Sequence, residues 1–275
     1  MLHPDLCLYE VSNGIATLTF NRPERLNSMI GNMERAYFER LRQAEADDDV
    51  MAIVVAGVGK GWCPGADLAY TPGEGDLPLP NGVIPNSMPM SIRKPTIAAI
   101  NGACAGAGFG HAMMLDFRIA SDSAKFTTAF AQRGLIAEYG LAWLLPQIAG
   151  RQVASDLLLT SRVVTGAEMA ELGLVNRAVP VDDVLETARE LAGHLASNVS
   201  PGSMATIKHQ LLIEPELDRD AAFESSNALM EESFAGADLT EGVMSFLEKR
   251  PASFAPLGSG STFSWMGSDE DGADA

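Results

Sequence analysis

The chain has 275 residues, 47% of them hydrophobic, and carries 36 acidic against 19 basic side chains for a formal charge of −17. That balance argues against a general nucleic-acid binder, whose affinity rests on neutralising phosphates, and offers no long-range attraction to an anionic ligand. No apolar run approaches the roughly 18 residues of a membrane span, MLHPDLCLYE lacks the regions of a signal peptide, and Cys7, Cys63 and Cys104 show neither metal-ligand nor disulfide spacing, so a cytoplasmic protein with no metal site and no membrane or nucleic-acid partner is expected.

In chain order, residues 6–10 and 15–20 read as strands joined around Asn13-Gly14, a hairpin signal. NRPERLNSM follows as a proline-bearing turn, and residues 30–46 have helical spacing that ends at an acidic run. Short apolar runs at 51–57, 96–100, 117–121 and 174–179 have the length and content of buried strands, separated by helical stretches, which implies an α/β core. Residues 70–90 hold five prolines and three glycines and read as a loop beside that core. Helices are expected over 182–198, 201–213, 218–235 and 239–249, and the last residues, 257–275, have disorder-like composition.

Two glycine-rich loops each follow a predicted strand: GVGKGWCPGADL after 51–57, and GACAGAGFG (102–110) after 96–100. The carboxyl ends of strands are where α/β sheets bind ligands. Residues without side-chain bulk let the backbone approach a ligand closely. One amide from each loop, converging on one oxygen, would form an oxyanion hole. Neither loop followed by its surroundings makes a proper dinucleotide fingerprint.

Together, these segments resemble the crotonase (enoyl-CoA hydratase/isomerase) superfamily over about residues 6–255. The resemblance is carried in order by NRPERLNSM, GKGWCPGADLA, NGACAGAGFGHAMMLDFRIAS, LTSRVVTGAEMAELGLVNRAVP and FLEKRPASF. It implies a spiral of βα turns over 1–195, a helical trimerisation region over 196–256, and assembly as a homotrimer or dimer of trimers. It also implies an acyl-CoA thioester substrate, with CoA part of the substrate and no separate cofactor. By position, the oxyanion donors would be the N–H groups of Ala66 and Ala107; the family usually has glycine at the second, and alanine keeps the donor. Arg25, Ala66 and Leu68 fall where family members contact CoA. Phe246 and Lys249 fall where a neighbouring subunit does so, and Lys249-Arg250 forms a local basic patch.

Hydration in the family uses two glutamates to hold and activate water. Their positions here are Gly110 and Phe130, so both acids are absent. From 123 through 155 the only acidic residue is Glu138, in RGLIAEYG, eight positions after Phe130. Isomerase-type members place their acid at this offset, and an apolar neighbourhood makes a carboxylate a better base. The resemblance therefore implies double-bond isomerisation, 3-enoyl-CoA to 2-enoyl-CoA, with Glu138 as single acid/base and Phe130 and Gly110 shaping a dry pocket. A hydratase with a non-standard site and a non-catalytic acyl-CoA-binding homologue are the alternatives. Glu138 could instead be an exposed glutamate or pair with Arg133. His111 is expected to be a packed helix histidine, Asp67 and Asp116 structural, Tyr139, Trp62 and Trp143 pocket wall or core, and Cys63 small filler.

Overall fold

The computed structural model describes residues 3–70, 79, 84–260 and 262–266. The antiparallel hairpin β1 (Cys7–Ser12) and β2 (Ile15–Phe20) turns at Asn13 and Gly14, both with positive φ as a two-residue hairpin loop requires. β2 then pairs in parallel with β3 (Ala52–Gly57), which pairs with β5 (Thr96–Ile100), then β7 (Phe117–Ser121), then β10 (Arg177–Val179). These make one six-stranded sheet. A second sheet runs β4 (Gly61–Cys63), β6 (Ala103–Ala105), β8 (Lys125–Thr127) and β9 (Val164–Thr165), parallel except for the last pair. Each pass of the chain through β3–β4, β5–β6 and β7–β8 adds one strand to each sheet. That is the expected spiral.

The continuous apolar content of the central strands has a physical cause: both faces are covered. In β3, Ile53 and Val55 face the main core, whereas Ala52, Val54 and Ala56 face a second cluster. The main core is completed by α1 (Gly31–Ala46), α2 (Ala107–Met113) and α3 (Leu141–Thr160), the last breaking at Gly150 (φ 77°, ψ 161°). The second cluster is capped by α5 (Val184–Asn198), which follows the short α4 (Gly166–Glu171). Val184, Ala188 and Ala192, spaced four apart, form the stripe that α5 lays on the sheet.

The expected boundary at 195/196 falls inside α5. After it come α6 (Pro201–Ile213), α7 (Arg219–Ala235) and α8 (Ala237–Glu248). α6 is anchored to the core by Lys208, whose ammonium donates to Asp116 Oδ2 (2.6 Å) and to the Lys94 carbonyl (2.9 Å). Asp116 also accepts from the Thr96 amide and hydroxyl, so it is the structural residue expected. The stretch expected to lack structure is packed where it is described. Phe263 is buried, Ser264 bonds Glu232, and the Trp265 indole stacks on His209 at 4.2 Å and donates to Thr206 Oγ1. Aromatic surface outweighs the polar composition there. Residues 261 and 267–275 lie outside the described residues, as do 71–78 and 80–83 of the 70–90 loop; Met88–Ser91 closes that loop as a 3₁₀ turn. Among the described residues no helix is long and apolar enough to cross a membrane.

The four short strands of the second sheet escaped the sequence reading, and GACAGAGFG is not a loop. It is β6 running into α2. Its glycines serve close backbone contact: a Cβ on Gly108 would collide with the Cys63 carbonyl of β4, and one on Gly102 with the Lys60 carbonyl. Gly108→Ala is therefore expected to destabilise by about 1–3 kcal/mol through overpacking. Gly193→Ala, in the α5 interior with nothing within 4 Å of the added carbon, is expected to stabilise by about 0.5–1 kcal/mol. Opposite shifts in thermal midpoint check both.

Candidate active site

The site is built on the contact between β4 and β6. Two asparagines hold it. Asn27, buried and in the left-handed region, donates to the carbonyls of Val58 (3.0 Å) and Gly61 (2.7 Å), while its Oδ1 accepts from the Arg22 amide. Asn101 donates to the carbonyls of Gly57 (3.2 Å) and Gly59 (2.7 Å). Both pin the turn between β3 and β4. Beyond β4, Met29 bridges to the chain at Ala66 by accepting from the Asp67 amide and donating to the Gly65 carbonyl. That bridge uses the groups flanking Ala66 and leaves the Ala66 N–H on the other side. Ala107 is the first residue of α2, a position whose N–H precedes any intrahelical bond. Among the described residues neither amide donates to a protein acceptor.

Both alanines line one cavity of about 130 Å³ with Leu68, Phe130, Arg133, Leu135, Glu138 and Tyr139. Of the residues singled out in the sequence, Ala66, Leu68, Ala107, Phe130 and Glu138 are thus brought together. Arg25 is exposed in the 3₁₀ turn Pro23–Arg25 and does not line the cavity, although its charge reaches Asp67. Phe246, 81% exposed, and Lys249, at the end of α8, stand away from the cavity of their own chain. Gly110 also fails to line it: Tyr139 stands there instead, and a Cβ on Gly110 would lie 2.6 Å from the Tyr139 Cβ.

Glu138 is half-buried on the segment between a 3₁₀ turn (Ala131–Arg133) and α3. That segment is tightly wound: Gly134, Tyr139 and Gly140 all have positive φ, as does Ala129 just before the 3₁₀ turn. Among the described residues the Glu138 carboxylate has no hydrogen-bond or ion-pair partner; Arg133 donates to the Ala129 carbonyl instead (2.9 Å). A carboxylate without a structural partner beside two undonated amides can accept a proton from a ligand whose oxygen the amides hold.

The other candidates fall into structural places. Burial pushes the Asp67 carboxyl up, but the Arg22 guanidinium (3.0 Å) and the Ala69 amide outweigh it and hold it below the usual range. Asp67 is an ion-paired loop clamp. Trp62 is core, its indole donating to the Val55 carbonyl (3.0 Å), and Trp143 lines a neighbouring cavity. Burial pushes the Cys63 thiol up to about 12, so it holds no thiolate at neutral pH.

One polar group went unnoticed in the sequence. Glu34, on α1, is fully buried with one carboxylate oxygen 3.2 Å from His111 Nε2 and accepting from the Tyr139 hydroxyl (3.2 Å). The expected packing of His111 is observed, ringed edge-to-face by Tyr37, Phe38 and Tyr139 at 5.1–5.6 Å. Burial, reinforced by the Glu34 charge, pushes the Tyr139 phenol well above its ordinary range, so it stays a neutral donor.

The enoyl-CoA hydratase/isomerase family model matches residues 10–256. The 1,2-epoxyphenylacetyl-CoA isomerase of Escherichia coli is 35% identical over 258 residues, covering 91% of this chain and 98% of its own. A probable enoyl-CoA hydratase of Rhodobacter capsulatus is 36% identical over 253 residues, covering 90% and 96%. Among solved structures, a probable enoyl-CoA hydratase/isomerase from Mycobacterium abscessus superposes with a TM-score of 0.82 at 27% identity, covering 91% of this chain and 98% of its own. The chain belongs to the enoyl-CoA hydratase/isomerase family, within the crotonase superfamily.

Proposed function

We propose that the protein isomerises 3-enoyl-CoA thioesters to the conjugated 2-enoyl-CoA, with Glu138 as the single acid/base. The observation that carries this reading is the pairing, in one cavity, of two amides and a carboxylate that have no protein partners among the described residues. The Ala66 and Ala107 N–H groups hold the thioester oxygen. Glu138 takes a proton from C2, and the electron pair moves onto the oxygen as an enolate. The enolate collapses toward C4, which receives the proton back from the Glu138 carboxyl, and the thioester carbonyl reforms. No net proton is gained or lost, so one carboxylate suffices.

Two features weigh against hydration. The position of the first water-holding acid is Gly110, covered by Tyr139, and the second is Phe130, a buried aromatic on the cavity wall. The isomerase named for the Escherichia coli relative supports the same class of outcome on a CoA thioester. Exposed apolar residues on α7 and α8, Phe223, Phe234, Phe246 and Leu247, fit burial in a homotrimer or dimer of trimers. In such an assembly Phe246 and Lys249 would meet the CoA of a neighbouring subunit, and Arg25 that of its own.

Four outcomes are expected. Ultraviolet absorbance should report conversion of trans-3-enoyl-CoA but no water addition to trans-2-enoyl-CoA. Glu138→Gln should lower kcat by about 10²–10⁴ with the fold intact; rapid hydration unaffected by that change would sink the reading. Proline is tolerated at the first position of a helix, so Ala107→Pro should remove the amide donor without unfolding α2, and lower kcat by about 10²–10³. Finally, iodoacetamide at pH 8 should leave activity unchanged, because Cys63 is buried and its thiol is held up to about 12.

A further inference from the structure

Tyr139 is held more firmly than a wall residue needs. Its backbone is left-handed at φ 54°, an uncommon conformation for a bulky side chain. Its Cβ and Cγ sit over Gly110, where an added Cβ would come within 2.6 and 2.8 Å of them. Its hydroxyl donates to Glu34 at 3.2 Å, and its ring meets His111 at 5.1 Å. Strain of this kind persists only where surrounding contacts over-determine the conformation.

The position of this ring is informative. On one side lies the cavity of about 130 Å³ with Ala66, Ala107 and Glu138. On the other lies a largely apolar cavity of about 560 Å³, half open to solvent, lined by Met90, Met114, Trp143 and Leu144 with Asn86 and Ser87 at its edge. Among the described residues Tyr139 is the one residue lining both. The second cavity continues, through Met90, Met114 and Leu144, against a third of about 420 Å³. Small-molecule pockets usually measure about 300–1,000 Å³. The reaction cavity alone is below that range, and the space beyond Tyr139 is within it.

We infer that Tyr139 is a specificity-determining residue: a wall, seated over Gly110 and latched to buried Glu34, that shuts the reaction cavity off from the apolar cavity beyond it and restricts the enzyme to short acyl groups. This inference rests on the acyl-CoA reading above. Glycine at 110 is then required by the wall and not merely a lost acid, since any side chain there would push Tyr139 aside. The hydroxyl's bond to a fully buried carboxylate is what keeps the ring from swinging out.

Calorimetric binding of saturated butanoyl-CoA and decanoyl-CoA tests this without turnover. The unsubstituted protein should bind butanoyl-CoA more tightly than decanoyl-CoA. Tyr139→Ala should open the second cavity and shift the ratio of dissociation constants toward decanoyl-CoA by at least about tenfold, which burial of about two methylenes supplies. Tyr139→Phe keeps the ring but loses the latch, and should shift the ratio the same way by a smaller factor. An unchanged ratio in a folded Tyr139→Ala protein overturns the wall, with Tyr139→Leu, which removes the ring but keeps an apolar side chain, deciding it if Tyr139→Ala does not fold; an unchanged ratio in Tyr139→Phe overturns the latch. Failure of every variant and the unsubstituted protein to bind either thioester would instead overturn the acyl-CoA reading itself.

Discussion

Backbone contact between two three-residue strands is the constraint on which the rest depends. The β4 segment and the β6–α2 unit approach so closely that Gly102, just before β6, and Gly108, in α2, face carbonyl oxygens where any other residue would place a carbon. That approach sets the Ala66 and Ala107 amides on one cavity. It costs side-chain packing, and the chain compensates with hydrogen bonds. Asn27 and Asn101 each bond two carbonyls of the turn leading into β4, and Arg22 holds Asp67 just beyond Ala66. Asn27 and Arg22 of the NRPERLNSM segment are therefore scaffolding for the amides, since they touch the loop and not the cavity.

Much of this was legible in the sequence, for identifiable reasons. Strands β2, β3, β5 and β7 are long enough, and buried on enough sides, for composition alone to mark them. α5 and α8 announce themselves by period, and α6 and α7 by caps, Ser200 accepting from the Ser203 amide and Asp218 from the Ala221 amide. β4, β6 and β8 have three residues each, too few for alternation to register. GACAGAGFG was misread because glycine marks both flexible turns and close strand contact, and only the neighbouring backbone distinguishes them. The packing at 262–266 was hidden by serines and glycines around two aromatic anchors.

For the site, position in the motifs picked out Ala66, Ala107, Phe130 and Glu138, which the fold brings to one cavity because ordered spacing along a spiral fixes where each turn passes. Glu34 could not be found that way. It lies on a helix rich in charged residues, where a glutamate reads as solvent-facing, and its partners are 77 and 105 positions away at His111 and Tyr139. No local pattern joins them; the tertiary fold does. Gly110 shows the converse. The absence of a side chain there is legible in the sequence, but the ring that fills its place comes from a residue 29 positions away and is set by the tertiary fold.

The buried Glu34–His111 contact has a consequence for how this chain can change over time. Both side chains have no solvent exposure and lie 3.2 Å apart. Losing Glu34 alone takes that acceptor from the Tyr139 hydroxyl and the imidazole in an apolar box, at a cost of about 1–3 kcal/mol for each unsatisfied group, and losing His111 alone leaves a gap beside a buried carboxylate that still accepts from Tyr139. The two positions therefore drift as one character. Lineages descending from this chain would keep the couple or abandon it together, and intermediates carrying half of it would be rare.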